Sequence, residues 1–452
     1  MGIENFPTAL QPIIQQGLLA KAFEKALRSK LAYRSIADRE NFQARIGDSI
    51  TRTRAGLLPS VTTPLSPASN TNLDNGLTPD NWAVEQYTVV LNQYAATQDL
   101  NMVTSRTAMA SVFAQNAYTS GEQARRSLDE LARNALFASY FSGNTRVTTT
   151  LGAAGATIAV DDVRGFQYVP GWNSQSQPTG GAQSPTWVPV SGTNTLLCTV
   201  GSDTYTLTGV TVDGSNTSTT PGGISGTLTF STSVTVANGT AGNTVQASNS
   251  AVMERPNARG NTSLLQAADT LTMSTLLNSV ASLRANAVPE IGGVYHCYLD
   301  PVSSRQLFSD PDFKQLFLGG INTAEYREGE LISPFLGLRF IPTTEAYVTS
   351  HPTIAGLKVR RPIICGQGAL IEGDFDGMAA EDIRPKDSIV DMVDDICMVV
   401  REPIDRLQQI IAQSWYWIGG FAVPSDVTTT TTTVPTATNS AYKRAVIVEH
   451  VG

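Results

Sequence analysis

Three histidines, His296, His351 and His450, are the side chains best suited to acid–base or nucleophilic chemistry near neutral pH. Cys297 follows His296, and a Cys–His pair could act as an activated nucleophile. The surrounding segment alternates as a β-strand does, however, and adjacent strand residues point to opposite faces. We therefore interpret His296 as a buried structural residue, and His351, which precedes Pro352, as a turn residue.

The sequence also contains no group of metal ligands at the spacing that a metal site requires. The four cysteines lie far apart without a CxxC pair, so their spacing predicts neither a zinc site nor a disulfide framework; they are Cys198, Cys297, Cys365 and Cys397. Residues Asp374-Phe375-Asp376-Gly377 resemble the start of a calcium loop, but the later acid that would bind in bidentate fashion is absent. We interpret them as a solvated acidic turn.

No catalytic motif supplements these residues. The sequence contains no nucleophile elbow, HExxH pair, Walker loop or GxGxxG after a strand. Trp415-Tyr416-Trp417 could stack on sugars or bases, but apolar residues follow at once and a core position is the simpler interpretation. We expect no catalytic residue, no cofactor and no metal, and the chain is not expected to be an enzyme.

Composition limits the possible partners. The chain has 452 residues, 41% of them apolar and 15% charged, with a net charge of −8. A chain of this length can bury a hydrophobic core, but its net negative charge argues against a protein that binds nucleic acid electrostatically. No apolar run approaches the roughly 20 residues that span a bilayer, and the first residues do not form a secretion signal. We expect synthesis in the cytoplasm and no membrane partner.

The first hundred residues predict an arm and a finger. Residues 8–36 have a rough helical stripe, and residues 1–60 carry nine basic against five acidic side chains. This basic excess fits either a solvated helix face or an arm that lies on an acidic neighbour or on packaged nucleic acid. The strand-like segments Ile46–Arg54 and Glu85–Leu91 flank a Pro- and Ser-rich stretch that contains the hairpin-tip signal Asp74-Asn75-Gly76.

The remaining chain alternates between helical and strand patterns. Residues 103–142 predict a long amphipathic helix. Residues 147–251 contain only five charged side chains and many Thr, Ser and Gly, which predicts an inserted all-β sandwich or barrel. Mixed α/β structure follows, with a helix at 263–286 and ambiguous helix or strand character at 404–418. A poly-threonine run at 428–433 precedes the strand-like segment Ala445–Val448.

The order of these elements resembles the Hong Kong 97 capsid fold of tailed phages. Several stretches are similar to segments of podovirus-type coat proteins: Glu85–Tyr94, Ser127–Arg133, Tyr298–Pro301 with Leu307–Phe313, and Gly329–Leu331 with Phe335–Phe340. The resemblance implies an α+β fold with an inserted all-β domain. Its parts would be an N-terminal arm (1–56), an E-loop finger (57–82), a peripheral strand with the spine helix (83–146), the β insert (147–254), an axial domain (255–388), peripheral strands (389–424) and a C-terminal tail (425–452).

The resemblance also implies a function and partners. The chain would be a major capsid protein that forms hexamers and pentamers of an icosahedral shell, enclosing nucleic acid without sequence-specific binding. A separate scaffolding protein, a portal and a decoration protein are the further partners expected, with assembly in the host cytoplasm and final location in the virion. The alternative is a surface β-sandwich adhesin or another non-enzymatic virion protein.

Neighbouring subunits are expected to meet at the arm, the finger and the tail. The candidate contact residues are Arg28, Arg34, Arg52, Arg54, Asp74, Asn75, Gly76, Val446, Ile447 and Val448. The tail is expected to dock either on a neighbour or on a distant part of its own subunit. Residues 51–100 contain no lysine, so covalent cross-linking through a finger lysine is not expected. The β insert is predicted to be exposed on the outer surface and dispensable for folding.

Overall fold

The structure is a computed structural model. It describes residues 21–23, 32–42, 49–55, 84–101, 109–141, 143–170, 187–219, 223–247, 253–259, 262–285, 288–318, 336–351, 354–375, 388–393, 396–401, 406–407, 409–424 and 444–452. The chain divides into two compact units. The first contains Met1–Ile50, Thr88–Arg133 and Leu370–Ala422, and the second contains Thr51–Tyr87, Asn134–Ala369 and Val423–Gly452.

Strands dominate the described residues. The N-terminal part contains β1 (Ala37–Phe42), β2 (Ser49–Ala55), β3 (Val84–Val90), β4 (Asn92–Asn101) and the long helix α1 (Met109–Tyr140). The middle part contains β5 (Asn144–Arg146), β6 (Gly155–Val160), β7 (Tyr168–Pro170), β8 (Trp187–Pro189), β9 (Leu196–Val200), β10 (Asp203–Val212), β11 (Gly226–Val234) and β12 (Thr244–Ala247).

The C-terminal part mixes helices and strands. It contains β13 (Met253–Glu254), α2 (Met273–Ala285), β14 (Tyr295–Leu299), α3 (Pro301–Ser309), α4 (Pro311–Leu318), β15 (Leu338–Pro342), β16 (Val348–Ser350), β17 (Lys358–Arg360) and β18 (Ile363–Cys365). It continues with β19 (Leu370–Phe375), β20 (Ser388–Val393), β21 (Ile396–Arg401), β22 (Ile410–Ala422), β23 (Ala445–Val448) and β24 (His450–Val451). The α+β class predicted from the sequence is confirmed.

The first unit is a six-stranded sheet covered by part of α1. The sheet runs β1-β19-β22-β21-β20, and β4 pairs with β22 antiparallel along its whole length. Phe113, Ala124 and Leu128 of α1 share a core with Trp415 and Trp417 of β22. Gly420 is required in β22 because a side chain there would overlap the carbonyl oxygen of Val90. The ambiguous segment 404–418 is therefore a strand from Ile410 onward.

The inserted domain is a small β-barrel. Its sheet runs β5-β12-β9-β10-β11-β6, and a bridge between Val147 and Val160 joins the two ends, so that the sheet closes on itself. The interior is apolar, with Phe166, Leu207 and Leu228 fully buried. The predicted all-β insert is confirmed, although its first strand begins at Asn144, ahead of the predicted boundary at 147.

The remaining part of the second unit is built on a five-stranded sheet. Its order is β13-β23-β18-β14-β15, and β16-β17-β24 form a smaller sheet. The strand from the C-terminal tail, β23, lies between β13 and β18. Leu276 and Leu283 of α2 pack with Val446 of β23 in one apolar core.

Two predicted boundaries shift for identifiable reasons. The helix expected at 263–286 begins only at Met273, whose backbone N–H donates to the Asp310 carboxylate (2.7 Å). The preceding residues turn around Asp269, which accepts from the N–H of Gln266 (2.8 Å). The axial boundary at 388 is also too late, because β19 (Leu370–Phe375) pairs with β22 and β1 in the first unit's sheet.

The arm expected as a helix at 8–36 is described only in part. Residues 21–23 are helical. Tyr33–Ile36 form a short 3-10 turn, and β1 starts immediately after it. The 3-10 turn ends the helical pattern earlier than the sequence stripe suggested, and the rest of the predicted helix lies outside the described residues.

Candidate assembly elements

The predicted finger is bracketed by two paired strands. β2 and β3 form a two-stranded sheet on either side of residues 56–83. This confirms the strand pair expected from Ile46–Arg54 and Glu85–Leu91. Arg52 and Arg54 lie on β2, whereas Asp74-Asn75-Gly76 and Arg28 lie outside the described residues. Intersubunit contact through these residues remains a prediction.

Arg34 is not available for a neighbour, which corrects the sequence prediction. Its guanidinium Nε donates to both carboxylate oxygens of Glu372 (3.0 and 3.1 Å) and its Nη2 to one of them (2.5 Å). The side chains are only 3% and 1% exposed. The Arg34 guanidinium carbon also lies 5.8 Å from the Trp417 ring centre. This buried bidentate ion pair holds the 3-10 turn Tyr33–Ile36, which we call the arm root, on the sheet of the same subunit.

Asp129 of α1 fastens the same turn. Its Oδ1 accepts from the backbone N–H groups of Ala32 (3.0 Å) and Arg34 (3.2 Å). Burial raises the pKa of Asp129 above its ordinary value, although the N–H groups of Arg34, Tyr33 and Ala32 and the charge of Arg125 oppose that rise. α1 and β19 therefore both position the arm root through carboxylates that local sequence patterns did not single out.

The tail strand likewise belongs to its own subunit. Val446, Ile447 and Val448 are fully buried, and Ile447 lies opposite Ile363 on one side and Met253 on the other. These three residues cannot be intersubunit contacts, because both of their strand edges are already occupied. Of the two docking sites left open by the sequence, a distant part of the same subunit is the one observed.

A buried charge cluster follows the tail strand. Glu449 is fully buried and accepts from Arg255 Nε (2.7 Å), Arg361 Nε (2.7 Å) and the Thr262 hydroxyl (2.8 Å). Burial acts to raise the pKa of Glu449, but the Arg255 and Arg361 charges and the Thr262 hydrogen bond lower it to about 2. The cluster ties the tail to three separate segments of the second unit.

Ser303 and His450 have the residue types and the spacing of a nucleophile–base pair. The Ser303 hydroxyl lies 2.7 Å from His450 Nε2. Asp300 contacts Ser303, not the histidine, and His450 Nδ1 lies 3.3 Å from the carbonyl of Val451. Ser303 and His450 are fully buried, and burial lowers the pKa of His450 to about 4. The pair has neither the orienting carboxylate nor the access that acyl transfer requires, so it serves to attach β24 to α3.

The other residues considered from the sequence have structural surroundings. His296 is half-buried and not fully buried as predicted, and burial, followed by the Arg339 charge, lowers its pKa. The four cysteines are buried and form no disulfide. Trp417 lies between Tyr94 and Phe421, with ring centres 5.9 and 5.5 Å away. It is thus a core residue, not an exposed stacking platform.

The described part of the chain contains neither a cluster of metal ligands nor a helix that could span a membrane. No group of three or more His, Cys, Asp or Glu side chains there could hold a metal ion. None of the described helices is both long and apolar enough to cross a bilayer. Asp374 lies in β19, while Asp376 and Gly377 of the loop that resembles a calcium site fall outside the described residues.

Comparisons with known proteins found likenesses in structure alone. No protein-family model and no curated protein sequence matched the chain. The capsid of Ralstonia phage GP4 is 12% identical with a TM-score of 0.46, and the alignment covers 93% of this chain and 88% of that one. The capsid of cyanophage P-SCSP1u is 11% identical with a TM-score of 0.46, over 91% and 86% of the two chains.

A third solved structure gives the same result. The capsid of cyanophage Pam1 is 11% identical with a TM-score of 0.44, over 94% of this chain and 92% of that one. All three structures are phage capsids.

Proposed function

We propose that this chain is the major capsid protein of a tailed phage, a structural protein that assembles with copies of itself into a closed icosahedral shell. The observation that carries the proposal is the order of elements along the chain. An arm root, a pair of finger strands, a 32-residue helix and two sheets completed by late strands follow one another as in the capsid fold that the sequence resembles.

The finger strands give a physical reason for assembly. β2 and β3 pair only with each other in the described sheets, and a lone two-stranded ribbon is marginally stable in water. A surface on a neighbouring copy would stabilise it, and the residues between the strands would extend that contact. Many modest contacts of this kind, repeated around symmetric rings, are what a shell requires.

The remaining partners follow from the same proposal. Copies of the chain would form hexamers and pentamers, built with a separate scaffolding protein and a portal, and a decoration protein could bind outside. The net charge of −8 suits a wall around nucleic acid better than a clamp on it. Assembly would occur in the host cytoplasm, and the finished protein would reside in the virion.

A catalytic role has no support among the described residues. The Ser303–His450 pair is sealed in the core. The adhesin alternative likewise gains no specific observation. We therefore prefer the capsid proposal to a catalytic role and to the adhesin alternative.

The proposal is tested by assembly of the full chain. We expect co-expression with a scaffolding protein to give particles in the megadalton range on a gradient, with shells in negative stain. A matched variant replaces residues 58–82 by a short turn, which should leave the subunit folded by circular dichroism but abolish shells. A clean monomer under all conditions, or shells from the finger variant at wild-type yield, would contradict the proposal.

A further inference from the structure

A cleft rich in arginine lies where the β-barrel joins the rest of the second unit. We call it the arginine cleft. It is partly open to solvent, and its volume of about 40 Å³ gives room for a few water-sized groups. Its lining combines arginines with hydroxyls and amides, including Arg146, Arg255, Arg361, Thr349, Ser350 and Gln246.

The charged side chains among the described lining residues of the cleft are all basic. They are three arginines. Glu449 lies behind the lining and pairs with both Arg255 and Arg361. Arg146 donates to the Thr219 hydroxyl, which in turn contacts Asp161. Arg255 and Arg361 thus share one buried carboxylate, and all three arginines bring positive charge to the lining of the cleft.

Arg361 is held in the cleft lining by contacts on several of its atoms. It is 4% exposed, and its guanidinium carbon lies 4.9 Å from the ring centre of Phe141 and 5.0 Å from that of Tyr347. Its Nε donates to Glu449 and its Nη1 to Thr349 (2.8 Å). Its Nη2 donates to none of the described residues. The ring centres of Phe141 and Tyr347 are 6.1 Å apart, so the guanidinium packs against both rings from one side. A guanidinium fixed in this way with an unused donor edge can bind an acceptor in its own plane.

We propose that the arginine cleft binds a small oxyanion of the phosphate class. The anion would accept from Arg361 Nη2 and from the hydroxyls of Thr349 and Ser350, with Arg146 on the barrel side. It would add a negative charge beside the three arginines and connect the barrel to β16. This inference does not depend on the capsid proposal, since every residue involved belongs to one subunit.

Phosphate binding is measured by titrating inorganic phosphate into the unassembled full-length chain in a calorimeter at constant ionic strength. We expect saturable binding at one site, and a Tm that rises with phosphate concentration, because a ligand bound only to the folded state stabilises it. The variant Arg146→Gln should weaken phosphate affinity by about tenfold, since it removes one charge-assisted contact. Its fold should persist, because the Glu449 cluster is left intact.

The matched control is Arg284→Gln, which removes an arginine from the same unit whose side chain is 58% exposed and does not line the cleft. Its phosphate affinity should equal that of the wild type. Absence of saturable binding in the wild type, or equal affinity in Arg146→Gln, overturns the inference. A single-stranded oligonucleotide added as competitor identifies the source: displacement of phosphate indicates a nucleic-acid phosphate, and no displacement indicates the free anion.

Discussion

Replacing Glu449 by glutamine is the sharpest test of how the tail is held. The substitution keeps the shape of the side chain and removes its charge. Arg255 and Arg361 then lose their shared counter-charge while their side chains stay buried, at 3% and 5% exposure. Removing one partner of a buried ion pair leaves an uncompensated charge, which destabilises far more than the loss of an exposed pair.

Two independent estimates give the size of the effect. The pKa of Glu449 falls from its ordinary 4.5 to about 2, which corresponds to about 3 kcal/mol because one pKa unit equals about 1.4 kcal/mol. Breaking a buried pair typically costs about 3–5 kcal/mol. We therefore expect Glu449→Gln to lower the free energy of unfolding at pH 7 by about 3 kcal/mol or more.

The pH dependence carries a defined sign. Because the folded-state pKa lies below the unfolded one, the stabilisation is fully present above pH 4.5 and is lost as the pH falls towards 2. The difference in stability between wild type and variant should be constant from pH 8 to 5 and shrink to about 1 kcal/mol by pH 3. His450 titrates in both proteins, so its contribution cancels in the difference.

Urea unfolding of the unassembled subunit measures these values, with hydrogen exchange of β23 peptides as the local readout. The matched control is Glu130→Gln, which breaks an ion pair with Arg133 in which the glutamate is 55% exposed. That control should change stability by under about 1 kcal/mol. A Glu449→Gln variant as stable as the control at pH 7, or a difference that does not shrink in acid, would refute the reasoning.

Three further outcomes are expected. Truncation after Pro424 removes β23, whose four residues are all buried, so the isolated subunit should lose its folded circular dichroism spectrum; a well-folded truncated subunit would show that the tail is not part of the core. Replacing residues 148–242 by a short Gly-Ser turn should leave a folded subunit, because the N–H of Val147 already donates to the carbonyl of Asn243 (2.8 Å); insoluble product in every condition would mean that the barrel is needed for folding. Assembled shells should run as single chains on a boiled reducing denaturing gel, since residues 51–100 contain no lysine, and a ladder of multimers would contradict this.

Elements with strong local patterns were predictable from the sequence. The amphipathic stretch at 103–142 gives α1, and the two strand-like segments around the finger give β2 and β3. The barrel was visible because charge nearly disappears from its sequence while β-branched residues and turn formers accumulate. In each case the information lies within a short window, so one sequence suffices.

Pairings between distant segments were not predictable in this way. β1 pairs in parallel with β19, and Arg34 pairs with Glu372, across more than three hundred residues. Nothing in the local pattern of either segment selects the other, because any strand edge offers the same backbone donors and acceptors. The basic character of the arm therefore suggested an intersubunit role for Arg34, whereas a buried carboxylate in the same subunit is its partner.

The sequence of the tail already indicated a strand that is buried on both faces. A strand laid on the edge of a neighbour keeps one face in water and should alternate between apolar and polar residues. Ala445-Val446-Ile447-Val448 does not alternate, and all four residues are buried, as expected for a strand with neighbours on both edges and packing on both faces. The two residues that follow, Glu449 and His450, are also fully buried, each with its own polar partners. A continuous apolar run is typical of a strand buried on both faces, and here both edges of that strand pair within the same subunit.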